Sequence, residues 1–429
     1  MSDNFEKALK IRELAKKHNE FFKESIPLIA SENVMSPLAL EMLLTDLGSR
    51  YAEGLPHHRY YQGNKFVDEI EDLAISYAKQ LFRSDQADPR PISGTNANIA
   101  AIYGLTKPGD RITVPPLSGG GHISAAKFGA VGLRGLDSSD YPFDNEEMNI
   151  DVDGTIKLIK EKKPKVCLIG QSVYLFPTPI RDIMDAVQEV GAKLWYDGAH
   201  VLGLIAGGVF QDPLREGADI ITASTHKTFP GPQHGIILGK TSEETWKAVQ
   251  RGVFPGSLSN HHLNAMAALA VTLAEELEFG NEYARKIVEN AKALAVALNE
   301  EGFNVLGEKN GFTESHTLVL DVRKQGGGKL SSEMLEDVDI VLNKNMLPWD
   351  SSKNSQDPSG LRIGTQEVTR IGFEKSEMKE IAKLMADLLI RKRDPAAVRS
   401  DVRELKGRHQ MIKFCFGQEK AYTYHEIFR

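Results

Sequence analysis

The chain has 429 residues, more than one hydrophobic core supports, so two domains are expected, with interior enough for a desolvated site. With 52 basic against 59 acidic residues the net charge is −7, and no stripe of Lys and Arg interleaved with aromatics offers a nucleic-acid surface. No run of about 18 apolar residues predicts a membrane span, and the two cysteines, Cys167 and Cys415, make no disulfide framework, which fits a reducing cytoplasm.

The opening "MSDNFEKALKIRELAKKHNEFF" is charged throughout and lacks the apolar core of a secretory signal. It reads as a helix, followed by "PLIASENVMSP". Residues 1–50 are too few for a domain and are expected to pack as an arm on something else. A large α/β domain is placed at 51–280. Within it, from about 90 to 240, β-branched runs alternate with helix-period segments, the pattern of a mainly parallel sheet with helices on its faces. The strands are "RITVP", "KVCLIG", "KLWYD", "ADIITAS" and "GIILG". Cys167, inside "KVCLIG", reads as a buried structural thiol. "RDIMDAVQEVG" puts Ile183, Met184, Ala186, Val187 and Val190 along one helical face and stops at Gly191, completing a βαβ unit. "HHLNAMAALAVTLAEELEFG" and "NEYARKIVENAKALAVALNEEG" read as two long helices, each closed by a glycine, and set the domain boundary near 280. A small α+β domain at 281–429 follows, with strands "NVLGE", "HTLVLDV" and "DIVLNK", a flexible loop "KQGGGKLSS" and the amphipathic helix "SEMKEIAKLMADLLI".

In open α/β sheets ligands bind outside the carboxyl ends of the strands, and polar residues gather there. "KLWYD" ends in Asp197, with His200 three residues on, and "ADIITAS" runs into His226 and Lys227. A lysine that forms a Schiff base and a carboxylate that partners a pyridinium nitrogen are what pyridoxal phosphate requires. Taken singly, an exposed lysine and a turn aspartate are the commoner occurrences. Ser93, Gly94 and Thr95 open an Ala-rich helix, where free N–H groups and the helix dipole attract a phosphate, although Ser-Gly-Thr is also a plain N-cap. Three glycines before His122 allow close backbone approach with an imidazole alongside. Ser172 follows "KVCLIGQ" and is placed to donate to a phenolate oxygen. Neither His57–His58 nor His261–His262 has metal-site spacing, so no metal is expected. A Gly-x-Ser-x-Gly elbow and a P-loop are also missing.

Together, "LIASEN", "YAEG", "RYYQG", "SGTNAN", "GGGHIS", "YDGAH", "STHKT", "LNKN" and "GLRIGT", in this order and over nearly the whole chain, resemble serine hydroxymethyltransferase, a fold-type I pyridoxal-phosphate enzyme. The resemblance implies transfer of the serine hydroxymethyl group to a tetrahydropterin, leaving glycine. It makes Lys227 the Schiff-base residue, pairs Asp197 with the ring nitrogen and stacks His122 on the ring. Ser172, His200, Ser224 and His226 then flank the cofactor, and Ser93, Gly94 and Thr95 hold its phosphate. Arg362 takes the amino-acid carboxylate, helped by Ser31 and Tyr61. Glu53 and Tyr61 reach across from a partner subunit of a homodimer with shared sites, Glu53 handling protons, and Tyr51 also binds the substrate. Leu117, Gly121, Ile123 and Asn345 match pterin contacts. Where bacterial and eukaryotic members usually read Gly-Pro-Arg-Gly-Gly after the lysine, this chain has "GPQHG", with Gln233 at the arginine position. Ser259 and Asn260 of "LSNH" replace glycines whose backbone caps the neighbour's phosphate. Both changes resemble the archaeal branch, whose carrier is a modified pterin such as tetrahydromethanopterin. A pterin-independent aldolase acting on threonine-like substrates shares the scaffold; Glu53, Tyr60 and Tyr61 favour the transferase.

Overall fold

The computed structural model describes residues 2–351 and 356–428. It opens with α1 (Asp3–Glu24), capped by Ser2 and burying none of its residues. The chain then enters the C-terminal half: Ile26–Pro27 pairs in parallel with Ile340–Val341, and Ile26 and Leu28 are fully buried there. The segment placed in an arm therefore supplies part of a core.

The central sheet has seven strands: β1 (Gln86–Asp88), β2 (Arg111–Val114), β3 (Asp137–Asp140), β4 (Val166–Ile169), β5 (Lys193–Asp197), β6 (Ile220–Ser224) and β7 (Gly235–Gly239). Their order is β1-β7-β6-β5-β4-β2-β3, and β7 alone runs against its neighbours. The five predicted strands are all present. Their alternation explains why helices cover both faces. Val166 and Leu168 of β4, with Trp195 of β5 and Ile220 of β6, face the side of the sheet away from α2 (Lys65–Phe82), where a second helical layer lies. That layer comprises α3 (Gly94–Leu105) and α4 (Glu243–Val253). Cys167, Ile169, Leu194, Tyr196 and Ile221 face the other way, toward α2, the helix Ile180–Glu189 and α5 (Leu263–Glu300). Burial of Cys167 raises its thiol pKa to about 11, so it is an inert core thiol.

The two long helices expected around Gly280 are one helix, α5, of 38 residues. Gly280 keeps a helical rather than a left-handed φ, so it supplies no stop signal. A mid-helix glycine costs about 1 kcal/mol, which the burial of Leu273, Tyr283, Ala284 and Ile287 around it outweighs. The boundary placed near 280 thus falls inside α5, whose residues up to Ile287 join one core and from Ala291 onward another. Beyond it, β8 (Asn304–Val305), β9 (Thr317–Asp321), β10 (Asn343–Asn345) and β11 (Gly360–Gly364) form an antiparallel sheet in the order β8-β9-β11-β10. The loop expected at "KQGGGKLSS" is a short 3₁₀ turn, Arg323–Gln325, running through Gly326 and Gly327 into the helix Gly328–Glu336. The helix is anchored there because Gly328 lies against the Gly360 carbonyl, where a Cβ would come within 2.4 Å. Among the described residues no helix is long and apolar enough to cross a membrane.

Candidate active site

A cavity of about 200 Å³ opens at the carboxyl ends of β4, β5 and β6. Strand β5 ends in Asp197, which lines it. The carboxylate is held in place from two sides: Oδ2 accepts from Asn98 Nδ2 at 2.8 Å, and Oδ1 from the Ala199 amide at 3.0 Å. Asn98 is itself fixed by Thr222, whose hydroxyl donates to Asn98 Oδ1 at 2.6 Å and accepts from Trp195 Nε1 at 2.7 Å. Such a buried, fully satisfied relay sets the carboxylate's orientation. Asn98 also lines the cavity and was missed in the sequence. The available signal was its place one helical turn after Thr95 in "SGTNAN", on the face that α3 turns toward β5.

Lys227 enters on the loop after β6, with Ser224 and His226 beside it on the wall. Its carbonyl accepts from Asn33 Nδ2 at 2.6 Å, which brings "LIASEN" to the lysine loop. Burial lowers the Lys227 pKa to about 8; the charge of Asp197 opposes this, and Arg362 adds to it. An ordinary amine is thereby made a nucleophile near neutral pH. His226 is pushed to about 4, chiefly by burial and further by Lys227. His200, also on the wall, is held well below its usual value by burial.

Ser93 caps α3, its hydroxyl accepting from the Asn96 amide at 3.1 Å, and Gly94 and Thr95 form the first turn. A Cβ on Gly94 would meet Ser224 at 3.0 Å, so glycine lets this turn close against the end of β6. On the facing wall Gly120, at φ +90°, packs against Val173, and the Ser172 amide donates to the Gly120 carbonyl at 2.6 Å. That contact brings His122 and Ser172 together on the cavity wall. His122 Nδ1 lies 2.7 Å from Ser124 Oγ, and burial lowers its pKa despite Asp197 nearby, leaving a neutral ring.

Arg362, on β11, stands behind this wall rather than on it: Nη1 donates to the Ser172 carbonyl at 2.9 Å and Nε to Asn343 Oδ1 at 3.1 Å. Burial lowers its pKa to about 10, so it stays a cation, and among the described residues it has no carboxylate partner. A half-buried guanidinium without a carboxylate partner is suited to an anionic ligand. Ser31 is next to Ala30, which packs against Gly364 at the end of β11.

The other expected residues do not line this cavity. The Tyr51 and Tyr61 rings pack tilted at 59° with centroids 4.9 Å apart, and Tyr51, Tyr60 and Tyr61 are 43%, 72% and 47% exposed. The Ala52 and Gly54 carbonyls that flank Glu53 both accept from Arg59 Nη1 at 2.9 Å. Ser259 and Asn260 belong to the same cluster: Ser259 Oγ is 3.0 Å from the Tyr51 hydroxyl, and Asn260 bonds the Ala52 amide and the Arg50 carbonyl. Their side chains clasp the Glu53 loop of their own chain. Leu117 and Ile123 are exposed, Gly121 is half-buried, and Asn345 Nδ2 donates to the Met346 carbonyl at 2.6 Å.

The donor set fits pyridoxal phosphate. His200 Nδ1 and His226 Nδ1 are buried beside the cavity without a hydrogen-bond partner among the described residues, a costly arrangement that a polar ligand relieves. A carboxylate, an amine and a helix N-terminus then face one small space.

Comparison with known proteins agrees with this geometry. The family model described as serine hydroxymethyltransferase matches residues 5–385. The serine hydroxymethyltransferase of Picrophilus torridus is 64% identical over all of both chains. That of Thermoplasma volcanium is 62% identical over 98% of this chain and 99% of its own, and that of Methanocella arvoryzae 51% over 94% and 95%. Matches of this extent, joined to a lysine, a carboxylate and a phosphate turn in one cavity, show that the chain belongs to the serine hydroxymethyltransferase family.

Proposed function

We propose that the chain transfers the hydroxymethyl group of serine to a tetrahydropterin, leaving glycine, with pyridoxal phosphate attached at Lys227. The observation that carries this reading is the approach of Lys227, at a pKa of about 8, to the doubly held carboxylate of Asp197 in one cavity. When bound, the cofactor supplies an electron sink for cleavage of the Cα–Cβ bond. Asp197 keeps a proton on the ring nitrogen, its geometry set by Asn98 and the Ala199 amide. Ser93, Gly94 and Thr95 take the phosphate at the N-terminus of α3. The neutral ring of His122 covers one face of the site, while Ser172, His200, Ser224 and His226 hold its edges. Arg362, with Ser31, takes the serine carboxylate. Leu117, Gly121, Ile123 and Asn345 receive the pterin.

Glu53, with Tyr51 and Tyr61, serves the site of a second copy of the chain, and Ser259 and Asn260 support that loop beside the neighbour's phosphate. The exposure of the three tyrosines and the unburied face of α1 support a homodimer in which each chain completes the other's cavity. There Glu53 moves the proton of the serine hydroxyl. The two free cysteines suit a reducing cytoplasm.

The test is glycine formation from serine by the purified protein, with tetrahydromethanopterin, with tetrahydrofolate and with neither. The reading expects glycine to form rapidly with at least one pterin and far more slowly without an acceptor for the hydroxymethyl group. Equal rates in all three would identify an aldolase instead.

A further inference from the structure

We propose that His234 is a positioning residue for the cofactor's phosphate, acting through Pro89 on the segment that delivers Ser93, Gly94 and Thr95 to the cavity. The inference rests on the reading of that turn as the phosphate site. His234 immediately precedes β7 and is completely buried. Its Nε2 lies 2.7 Å from the Pro89 carbonyl oxygen. The pairing of β1 with β7 ends at Asp88, so no strand neighbour serves that carbonyl. A carbonyl only accepts, and therefore the ring's single proton sits on Nε2. Nδ1 is buried without a partner among the described residues. Burial holds the imidazole pKa at about 3, so at neutral pH the ring is neutral and its one proton serves this bond.

The surrounding backbone shows what the contact holds. The His234 carbonyl accepts from the Thr225 amide at 3.2 Å, two residues before Lys227. The next amide, Gly235, donates to the Pro91 carbonyl at 2.9 Å, and a Cβ on Gly235 would come within 2.4 Å of the Ser93 carbonyl. Asp88 and Arg90, 2% and 3% exposed, pair at 2.5 Å on either side of Pro89. The lead-in to the phosphate turn is thus gripped at Pro89 by a side chain and at Pro91 by an amide, both from the stretch that also anchors the lysine loop. His234 stands where the usual Gly-Pro-Arg-Gly-Gly run has glycine, which offers no such donor. The imidazole is a strut between the phosphate turn and the lysine loop.

The experiment compares pyridoxal 5′-phosphate with pyridoxal, which lacks the phosphate, by equilibrium dialysis against cofactor-depleted protein. His234→Ala is expected to weaken the phosphate-bearing ligand about tenfold, the scale of one buried hydrogen bond, and to leave pyridoxal unchanged. His234→Gln, which keeps a donor, is expected to recover most of the loss. If His234→Ala fails to accumulate as folded protein, His234→Phe fills the volume without a donor and makes the same comparison. Equal weakening of both ligands, or of neither, overturns the inference. Ser93→Ala separates the two levels. If it binds both ligands as the parent does, the phosphate reading fails and this inference with it. If Ser93→Ala discriminates and His234→Ala does not, this inference alone fails.

Discussion

Lys227→Ala is expected to cut serine-to-glycine turnover on the order of 10³-fold or more, the scale seen when a group that acts covalently is removed, while far-ultraviolet circular dichroism stays unchanged. The side chain projects into a cavity rather than into packing, so its removal leaves both cores intact. Reduction of the parent protein with borohydride in the presence of pyridoxal phosphate should fix the label on Lys227, and on no residue in the variant. Label at another lysine would refute the assignment. The pH dependence follows from the same environment. Burial disfavours the ammonium form, so the pKa falls to about 8 and the neutral, reactive amine predominates above that pH. At pH 8 about half of the chains carry it, against fewer than about one in a hundred for an ordinary lysine. Cofactor capture by cofactor-depleted protein should therefore rise about tenfold per pH unit below 8 and level off above it. A rise continuing to pH 10 would mean that the amine is not desolvated.

The second large effect is expected at Arg362. Its guanidinium is half-buried, cationic and without a carboxylate partner among the described residues, held by the Ser172 carbonyl and Asn343. Loss of a charge-assisted partner in such a setting costs about 2–5 kcal/mol, or about 30-fold to several-thousand-fold in apparent serine affinity. Arg362→Ala should raise the serine KM by that factor while pyridoxal phosphate still binds. Arg362→Lys should recover little, because an ammonium cannot reproduce the planar fork. Unchanged serine KM in Arg362→Ala would move the carboxylate site elsewhere.

Much of this site was legible in the sequence because strand ends are legible. Runs such as "KLWYD" and "ADIITAS" are apolar on both faces and stop abruptly at a polar residue, which puts Asp197 and the lysine loop at one edge of a sheet. Asn98 was not legible. It sits within an Ala-rich helix as an ordinary polar residue, and its role depends on Thr222 and Trp195, far away in the sequence. Strands β1 and β3 were missed for opposite reasons. β1 has only three residues, and β3, "DSSD", is an edge strand paired on one side and without an apolar face. β11 carries Arg362 between two glycines, a composition that reads as a turn. The single helix α5 was divided in two because a glycine ends a helix only when its backbone turns left-handed, and composition does not reveal φ. His234 was seen as part of a departure from the usual glycine run; its contact with Pro89 spans 145 positions and needs the fold to be visible.

In the proposed homodimer a cavity built around Lys227 of one chain is completed by Glu53 of another. Glu53 does not line the cavity of its own chain, so mixing two inactive variants tests the sharing directly. Lys227→Ala and Glu53→Gln homodimers are each expected to be nearly inactive in pterin-dependent glycine formation. After subunit exchange, half of the dimers are mixed if pairing is random, and each mixed dimer has one site carrying both defects and one carrying neither. Activity should then recover to about a quarter of the parent value by this symmetry. No recovery, with exchange verified by mass spectrometry of differently tagged subunits, would put both residues in the same chain's site and rule out shared sites.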